Sequence, residues 1–180
     1  MFASWGGVVL SGDEIGHRVV DRSPQIRRRL ANAFGEDIMR SGRVDRALLV
    51  RRAFASSEMT LRLNRIVHPA LVRELNRQVA RAKDAPRAKA VVIDAALLVE
   101  WGLGRIHWDR LVGVSAPYSL RVKRLRARGL TPSQIRRFSR AQMPWNLKRA
   151  YCDAIVKNDS SLAILRRQAR LCWGKLLLSE

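Results

Sequence analysis

The sequence is poor in cysteine, in acidic residues and in long hydrophobic runs. Only Cys152 and Cys172 are cysteines, too few for a disulfide framework or a cysteine-rich zinc site, and this favours a reduced, cytoplasmic protein. No apolar run approaches the ~20 residues of a membrane-spanning helix. The start of the chain also lacks the basic stretch of a signal peptide. We therefore expect neither membrane insertion nor export.

Acidic residues are outnumbered, because 35 lysines and arginines face 15 aspartates and glutamates, which gives a formal net charge of +20. Two interpretations stay open: a solvated basic surface, or a binding site for nucleic acid or a polyphosphate ligand. No nucleic-acid recognition motif accompanies the charge, and the five tryptophans are scattered without the pattern of a stacking platform. A basic nucleic-acid-binding protein is thus an alternative that rests on charge alone.

Buried strands alternate with helices along much of the chain. A length of 180 residues with 47% hydrophobic residues favours one compact domain. Residues 8–10 form a short apolar strand, and residues 90–94, 111–114 and 154–156 are continuous apolar runs typical of strands buried on both faces. This order predicts a parallel α/β sheet.

Helical signals cluster between residues 23 and 86, which we interpret as an insertion. Ser23 and Asp45 are predicted helix caps, and Gly35 is predicted to end a helix. His68 and Pro69 are predicted to interrupt the next helix, with Pro69 starting another. Outside this stretch, Thr131 begins a sequence with capping-box spacing.

Seven segments, in order along almost the whole chain, resemble the motifs of the dephospho-coenzyme A kinase family. Each motif is weak alone, but their shared order is specific. The segments are residues 9–15 (V-I-D-A-D-x-I), 34–38 (F-G-x-x-I/L), 42–48 (G-x-[IL]-[DN]-R-x-x-L), 63–69 (L-x-x-[IL]-x-H-P), 94–100 (D-x-P-L-L-x-E), 141–144 (A-Q-M-P) and 157–160 (D-N-x-G-S).

The resemblance implies a three-layer P-loop kinase fold whose first strand and phosphate loop are absent here. Residues 1–22 and 87–180 would form the kinase core with a lid at about 121–145, and residues 23–86 would bind the coenzyme A substrate. The implied reaction transfers phosphate from ATP, with Mg²⁺, to the ribose 3′-hydroxyl of dephospho-coenzyme A. The oligomeric state does not follow from the resemblance.

Two aspartates are the main candidates for the chemistry. Asp13 falls on the family position that activates the hydroxyl, although a helix-initiating aspartate that only complements the helix dipole would look the same. Asp94 ends a strand, where P-loop proteins place a carboxylate associated with Mg²⁺, and a structural acceptor is the equal alternative. Ser11 replaces the first aspartate of the family segment, which weakens the expected support for a metal.

Other site residues follow from the resemblance alone. Leu97, Leu98 and Glu100 would line the acceptor site, with core packing as the alternative for the leucines. His68 would shape the substrate site rather than act as a base. Asn158 would lie near the adenine, or be a turn residue. Lid arginines would contact phosphates, with a solvated basic face as the alternative; they are Arg124, Arg128, Arg136 and Arg140.

No G-x-x-x-x-G-K-[ST] sequence, the loop that cradles ATP phosphates, occurs in the 180 residues. Three explanations compete: a start codon assigned too late, a decayed gene, or a non-catalytic coenzyme A binder. The intact motifs favour the first. For residues 1–180 as they stand we expect little or no kinase activity.

Overall fold

Helices and strands alternate in the computed structural model, which describes residues 1–86, 88–100 and 106–178. The strands are β1 Gly7–Ser11, β2 Met39–Arg40, β3 Arg43–Val44, β4 Ala90–Asp94, β5 Val112–Ser115 and β6 Ala154–Lys157. The helices are α1 Gly12–Arg22, α2 Pro24–Phe34, α3 Arg46–Ala53, α4 Ser57–Lys83, α5 Tyr118–Ala127, α6 Pro132–Ala141, α7 Trp145–Lys148 and α8 Leu162–Leu178.

The strands pair two by two. Strand β1 pairs with β4, and β5 runs parallel to β6 with Val112 opposite Ala154 and Ser115 opposite Lys157. Strands β2 and β3 form an antiparallel hairpin. Within the described ranges, no strand ladder joins the β1–β4 pair to the β5–β6 pair.

The prediction that the apolar strands are buried on both faces is wrong for β5 and β6. Val114 is 62% exposed and Ile155 is 42% exposed. Helix α8 packs against β6, where Val156 is buried, but no other helix of the described part covers these strands to a comparable extent. The apolar runs therefore predicted the positions of the strands correctly. They did not predict that part of each strand is left exposed.

The chain divides into two compact units. The helical unit comprises Leu10–Asp84 and Ile93–Ala95, and the sheet unit comprises Met1–Val9, Ala85–Val92 and Ala96–Glu180. The predicted boundaries lay after residues 22 and 86, and Arg87 itself is outside the described residues. The structure thus groups α1 with the helical unit, whereas the functional assignment of the two parts stays a prediction.

The core of the helical unit is built from the inward faces of α2, α3 and α4 and from the turn Glu36–Ile38 that follows α2. Leu30, Ile38 and Ala53 are completely buried there, and Phe34 and Ile66 pack beside them. In the sheet unit, Trp173 of α8 is buried and its ring lies 5.0 Å from that of Phe2. Each unit therefore has an apolar centre of its own.

Local capping signals fixed several helix ends as predicted. The side chains of Ser23 and Asp45 accept hydrogen bonds from the backbone N–H groups of Ile26 and Leu48. Thr131 forms a complete capping box with Gln134. These bonds satisfy amides that have no partner inside the helix.

Helix α4 is continuous, so the predicted break at His68 and Pro69 is wrong. Its 27 residues include Pro69 in the interior. An interior proline costs a helix about 3 kcal/mol because it lacks an N–H group and crowds the preceding turn. Ile66 precedes Pro69 and Leu71 and Leu75 follow it as one buried stripe, and α4 packs on α1, α2 and α3. Burial of this stripe outweighs the cost of the proline.

Gly35 ends α2 with φ 101° and ψ 141°, a conformation that L side chains rarely adopt. A Cβ atom there would lie 2.5 Å from Nη1 of Arg52 and 2.7 Å from Oδ1 of Asp37. Those two side chains form an ion pair, with Nη2 of Arg52 2.5 Å from Oδ2 of Asp37. The hydrogen bond from Arg52 holds the pKa of Asp37 below its usual value.

Replacing Gly35 with alanine is expected to lower the free energy of unfolding by about 1–3 kcal/mol through backbone strain. The added Cβ would also displace the side chains of Arg52 and Asp37. Urea unfolding would measure the change. Gly42→Ala is the matched control because Gly42 also has positive φ, 76°, but has no neighbouring atom within 4 Å of an added Cβ. Equal losses in the two variants would contradict a role for the contact with Arg52 and Asp37.

Candidate active site

Asp13 lies at the junction of β1 and α1. The hydroxyl of Ser11 caps α1 by accepting a hydrogen bond from the N–H of Glu14, 3.3 Å away. Asp13 is the second residue of the helix, and its side chain is exposed. Among the described residues it has no hydrogen-bonding or ionic partner, whereas Glu14 pairs with Arg18. The carboxylate of Asp13 is therefore available to a ligand at the carboxyl end of β1.

Asp94 is the last residue of β4 and is also exposed. The loop that follows carries Leu97, which is half-buried, and Leu98, which is 6% exposed. Leu98 thus contributes to packing. A role for the two leucines as acceptor contacts stays a prediction.

Glu100 forms an ion pair that the sequence did not predict. Its Oε1 lies 2.6 Å from Nζ of Lys148, and the two side chains are only 17% and 15% exposed. The same oxygen accepts the backbone N–H of Met143 at 2.7 Å, and Lys148 also donates to the carbonyl of Ala96 at 3.0 Å. The pair therefore connects the loop after β4 with the segment that follows α6.

The other oxygen of this carboxylate, Oε2 of Glu100, is buried and has no hydrogen-bond partner in the described part of the chain. A buried oxygen without a donor costs free energy. The ion pair with Lys148 and the hydrogen bond from the N–H of Met143, both to Oε1, therefore have to compensate for burying the carboxylate. The proposed contact of Glu100 with the acceptor stays a prediction.

Arg124 and Asn158 are brought together at the carboxyl ends of β5 and β6. Nη1 of Arg124, on α5, donates to the carbonyl of Asn158 at 2.8 Å. The N–H of Asn158 donates to the carbonyl of Ser115, the last residue of β5, at 2.7 Å. Ligands of open α/β sheets bind at such strand ends. The arrangement orients one guanidinium group there.

The remaining predicted lid arginines lie on exposed surface. Arg128 caps the carboxyl end of α5 through its backbone, while Arg136 and Arg140 lie on α6. No described residue pairs with their side chains. Their guanidinium groups are free to bind phosphate oxygens. Their positions fit both predictions, phosphate-binding arginines of a lid and arginines of a solvated basic face.

His68 lies on α4 in the helical unit and is half-buried. It is inside a regular helix rather than in the loop between two helices that the sequence predicted. His68 also has an interaction partner within the described part of the chain. This placement suits a structural residue, and its role in the substrate site stays a prediction.

The described residues include no cluster of three or more histidine, cysteine, aspartate or glutamate side chains suited to a metal ion. Mg²⁺ needs no such cluster, because it is commonly held by one or two carboxylates together with water and substrate phosphates. The exposed carboxylate of Asp94 fits that mode of binding. No helix of the described part is long and apolar enough to cross a membrane.

A family model described as dephospho-CoA kinase matches residues 1–163. The chain belongs to the dephospho-CoA kinase family. It is 36% identical to the dephospho-CoA kinase of Corynebacterium glutamicum over 98% of this chain and 88% of the relative. It is 37% identical to that of Methylococcus capsulatus, over 93% and 83% of the two chains.

Two solved structures share the fold of this chain. The protein TT1252 from Thermus thermophilus superposes with a TM-score of 0.74 at 32% identity, over 97% of this chain and 87% of the other. A dephospho-CoA kinase from Campylobacter jejuni gives 0.65 at 19% identity, over the same shares, which is a likeness of fold.

Membership of the dephospho-CoA kinase family confirms the predicted α/β fold of P-loop kinase type and the predicted activity class, a transferase that phosphorylates an alcohol. The roles of individual residues remain predictions. The sequence reasoning missed Lys148, since its partner Glu100 is 48 positions away (148 minus 100) and no local pattern connects them.

Proposed function

We propose that this chain uses dephospho-CoA as its acceptor and ATP as its donor, and that Asp13 accepts the proton of the acceptor hydroxyl. A bond forms between the ribose 3′-oxygen and the γ-phosphorus, and the bond from that phosphorus to the bridging oxygen of ADP breaks. The hydroxyl proton passes to the carboxylate of Asp13. The observation that carries the proposal is this exposed, unpaired carboxylate at the carboxyl end of β1.

The cations of the sheet unit would bind the transferring phosphates. Phosphoryl transfer depends mainly on positioning and on neutralising charge. Arg124 is already oriented by the carbonyl of Asn158, and Arg128, Arg136 and Arg140 are exposed and unpaired among the described residues. Guanidinium groups bind two phosphate oxygens at once and keep their charge at any physiological pH.

Asp94 is the residue that would hold Mg²⁺, through water. When bound, Mg²⁺ neutralises charge on the phosphate oxygens. A cytoplasmic location belongs to the same proposal, and it is supported by the free thiols of Cys152 and Cys172.

Asp13→Asn is expected to change the preference between substrate and product. The carboxylate accepts a hydrogen bond from the 3′-hydroxyl of dephospho-CoA but repels the 3′-phosphate of CoA. The variant should therefore bind dephospho-CoA more weakly and CoA more tightly. We expect the ratio of the two dissociation constants to shift about tenfold, because the charges are close but partly screened by solvent. Titration calorimetry with both ligands measures this ratio without turnover.

Glu58→Gln is the matched control for this variant. Glu58 is the exposed second residue of α4, as Asp13 is of α1, so each substitution removes one negative charge from the same position of a helix. The control should leave both dissociation constants unchanged. An unchanged ratio in Asp13→Asn would contradict the proposed role.

A further inference from the structure

Helix α8 has an exposed apolar line on the side opposite to its buried face. Ala169 and Trp173 are each 6% exposed and are buried against the rest of the sheet unit. On the other side of the helix, Ile164, Leu171 and Leu178 are 37%, 62% and 85% exposed. These three residues are seven positions apart, close to two helical turns, so they follow one line along the helix. We call this line the outer stripe of α8.

Cations border the outer stripe. Arg167 lies four residues before Leu171 and Lys175 lies four residues after it, so the two basic side chains are on either side of this leucine. Both are exposed, and Arg167 has no hydrogen-bonding or ionic partner among the described residues. With Arg166 and Arg170, α8 has four basic residues and no acidic one. The helix therefore presents an apolar line between positive charges.

A second copy of the chain does not fit the outer stripe. Two α8 helices that met along their stripes would bring the basic residues of both helices together without any acidic residue of α8 to compensate them. Each molecule also carries a formal net charge of +20. Like charges in contact oppose association. A partner of the outer stripe therefore has to combine an apolar part with negative charge.

The size and shape of the outer stripe favour a lipid surface over an acidic protein. Its exposed apolar area is on the order of 200 Å², whereas a stable protein interface takes about 800 Å² from each partner. An added Cβ at Gly174, beside the stripe, would meet no atom within 4 Å. This part of α8 is thus open surface rather than a groove that would receive a peptide helix. A bilayer needs neither a groove nor a matched shape.

We propose that the outer stripe of α8 docks the sheet unit on an anionic lipid bilayer. Leu171 and Leu178 enter the boundary between headgroups and acyl chains, and Arg167 and Lys175 contact lipid phosphates while their aliphatic stems lie beside the stripe. Both parts are needed, because the affinity of such a helix combines buried apolar area with attraction to anionic lipids. The helix lies in the plane of the surface and does not cross it.

Vesicle binding by the whole chain tests this proposal without involving Asp13 or turnover. One set of vesicles is phosphatidylcholine alone, and the other contains equal parts of phosphatidylcholine and phosphatidylglycerol. Flotation through a density gradient gives the bound fraction at each lipid concentration, at one ionic strength. Binding is expected to the anionic vesicles only, because each basic residue near an anionic surface raises the affinity about fivefold.

Leu171→Gln is expected to weaken binding to the anionic vesicles about tenfold, since it removes apolar surface from the stripe. Leu61→Gln is its matched control, because Leu61 is 56% exposed and also lies within a helix, α4. Arg167→Gln is expected to weaken binding about fivefold. Its control is Arg62→Gln, at an exposed arginine of α4. Both controls should bind as the unaltered chain does.

Leu178→Gln repeats the measurement at a second residue of the outer stripe. Its side chain is 85% exposed, so this variant keeps its fold even where Leu171→Gln does not, and it should also bind the anionic vesicles about tenfold more weakly. All the substituted residues are exposed, so equal thermal unfolding midpoints are expected and checked.

Four results would overturn the proposal. The first is no binding of the unaltered chain to anionic vesicles. The second is equal weakening by a stripe variant and its control, which would indicate general surface charge. The third is a dimer in sedimentation that Leu171→Gln abolishes, which would make the stripe an interface between copies. The fourth is an acidic amphipathic peptide that displaces the vesicles and is bound less well by Leu171→Gln, which would indicate a protein partner.

Discussion

Residues 1–180, supplied with ATP, Mg²⁺ and dephospho-CoA, are expected to form CoA at least 10²–10³-fold more slowly than the ~1–100 s⁻¹ of ordinary kinases, roughly the loss from removing a single preorganised donor. The reason is the absence of a G-x-x-x-x-G-K-[ST] loop from these residues. In P-loop enzymes the backbone amides and lysine of that loop hold the donor phosphates. The arginines of α5 and α6 supply charge but no such cradle.

Transfer of ³²P from labelled ATP to dephospho-CoA measures rates this low. The Corynebacterium glutamicum relative, assayed beside it, is the positive control for substrates and detection. Dephospho-CoA should still bind, because Asp13 and the helical unit are present. Turnover within about tenfold of the relative, that is within 1.4 kcal/mol of its barrier, would contradict the expectation. If turnover were slow and dephospho-CoA did not bind at all, the proposed use of dephospho-CoA as the acceptor would also be contradicted.

Lys148→Met is expected to lower the free energy of unfolding by about 3 kcal/mol, because it leaves the carboxylate of Glu100 largely buried without its cation. Methionine keeps most of the volume of the lysine stem, so the loss reports charge and hydrogen bonding. After the change, Oε1 of Glu100 keeps only the N–H of Met143, and Oε2 still has no donor among the described residues. Urea unfolding followed by tryptophan fluorescence measures the effect.

Two further variants separate the ion pair from general effects. Adding Glu100→Gln to Lys148→Met should recover much of the loss, since removing both charges abolishes the uncompensated carboxylate. Lys123→Met makes the same change at an exposed lysine of α5 and should shift stability by no more than about 0.5 kcal/mol. If Lys148→Met lost no more stability than Lys123→Met, the ion pair would not be needed to stabilise the buried carboxylate of Glu100. A double variant less stable than Lys148→Met alone would contradict the prediction as well.

Helix caps were predictable because their cause lies within three or four residues. Ser23, Asp45 and Thr131 each bond to an amide three positions later, and the residue type alone favours that geometry. Likewise, Asp13 was placed correctly at the start of α1 because an acidic residue follows a short apolar strand there. Local chemistry was sufficient for these positions.

Helix α4 shows where local reasoning fails. Proline normally ends a helix, and nothing within a few residues of Pro69 reports the packing of Leu71 and Leu75 against other helices. The exposure of Val114 and Ile155 was missed for a related reason, because the sequence of an apolar strand does not show which other elements pack on its faces. Both errors concern tertiary contacts.

The Glu100–Lys148 pair and the outer stripe of α8 both depend on distant parts of the chain. A usable signal existed for the stripe alone: Ile164, Leu171 and Leu178 are seven residues apart, which places them on one helix face. The sequence does not tell which face of α8 packs against β6, so it does not predict that this one is exposed.

The exposed apolar side chains of β5 and β6 have a consequence for the colloidal behaviour of the protein. Val114 and Ile155 offer surface for self-association, and a net charge of +20 keeps separate copies apart. Because the screening length falls from about 30 Å at 0.01 M salt to about 3 Å at 1 M, the repulsion acts over a shorter range as salt is added. The protein is therefore best kept dispersed at low ionic strength, where charge prevents the open strand faces of two molecules from meeting.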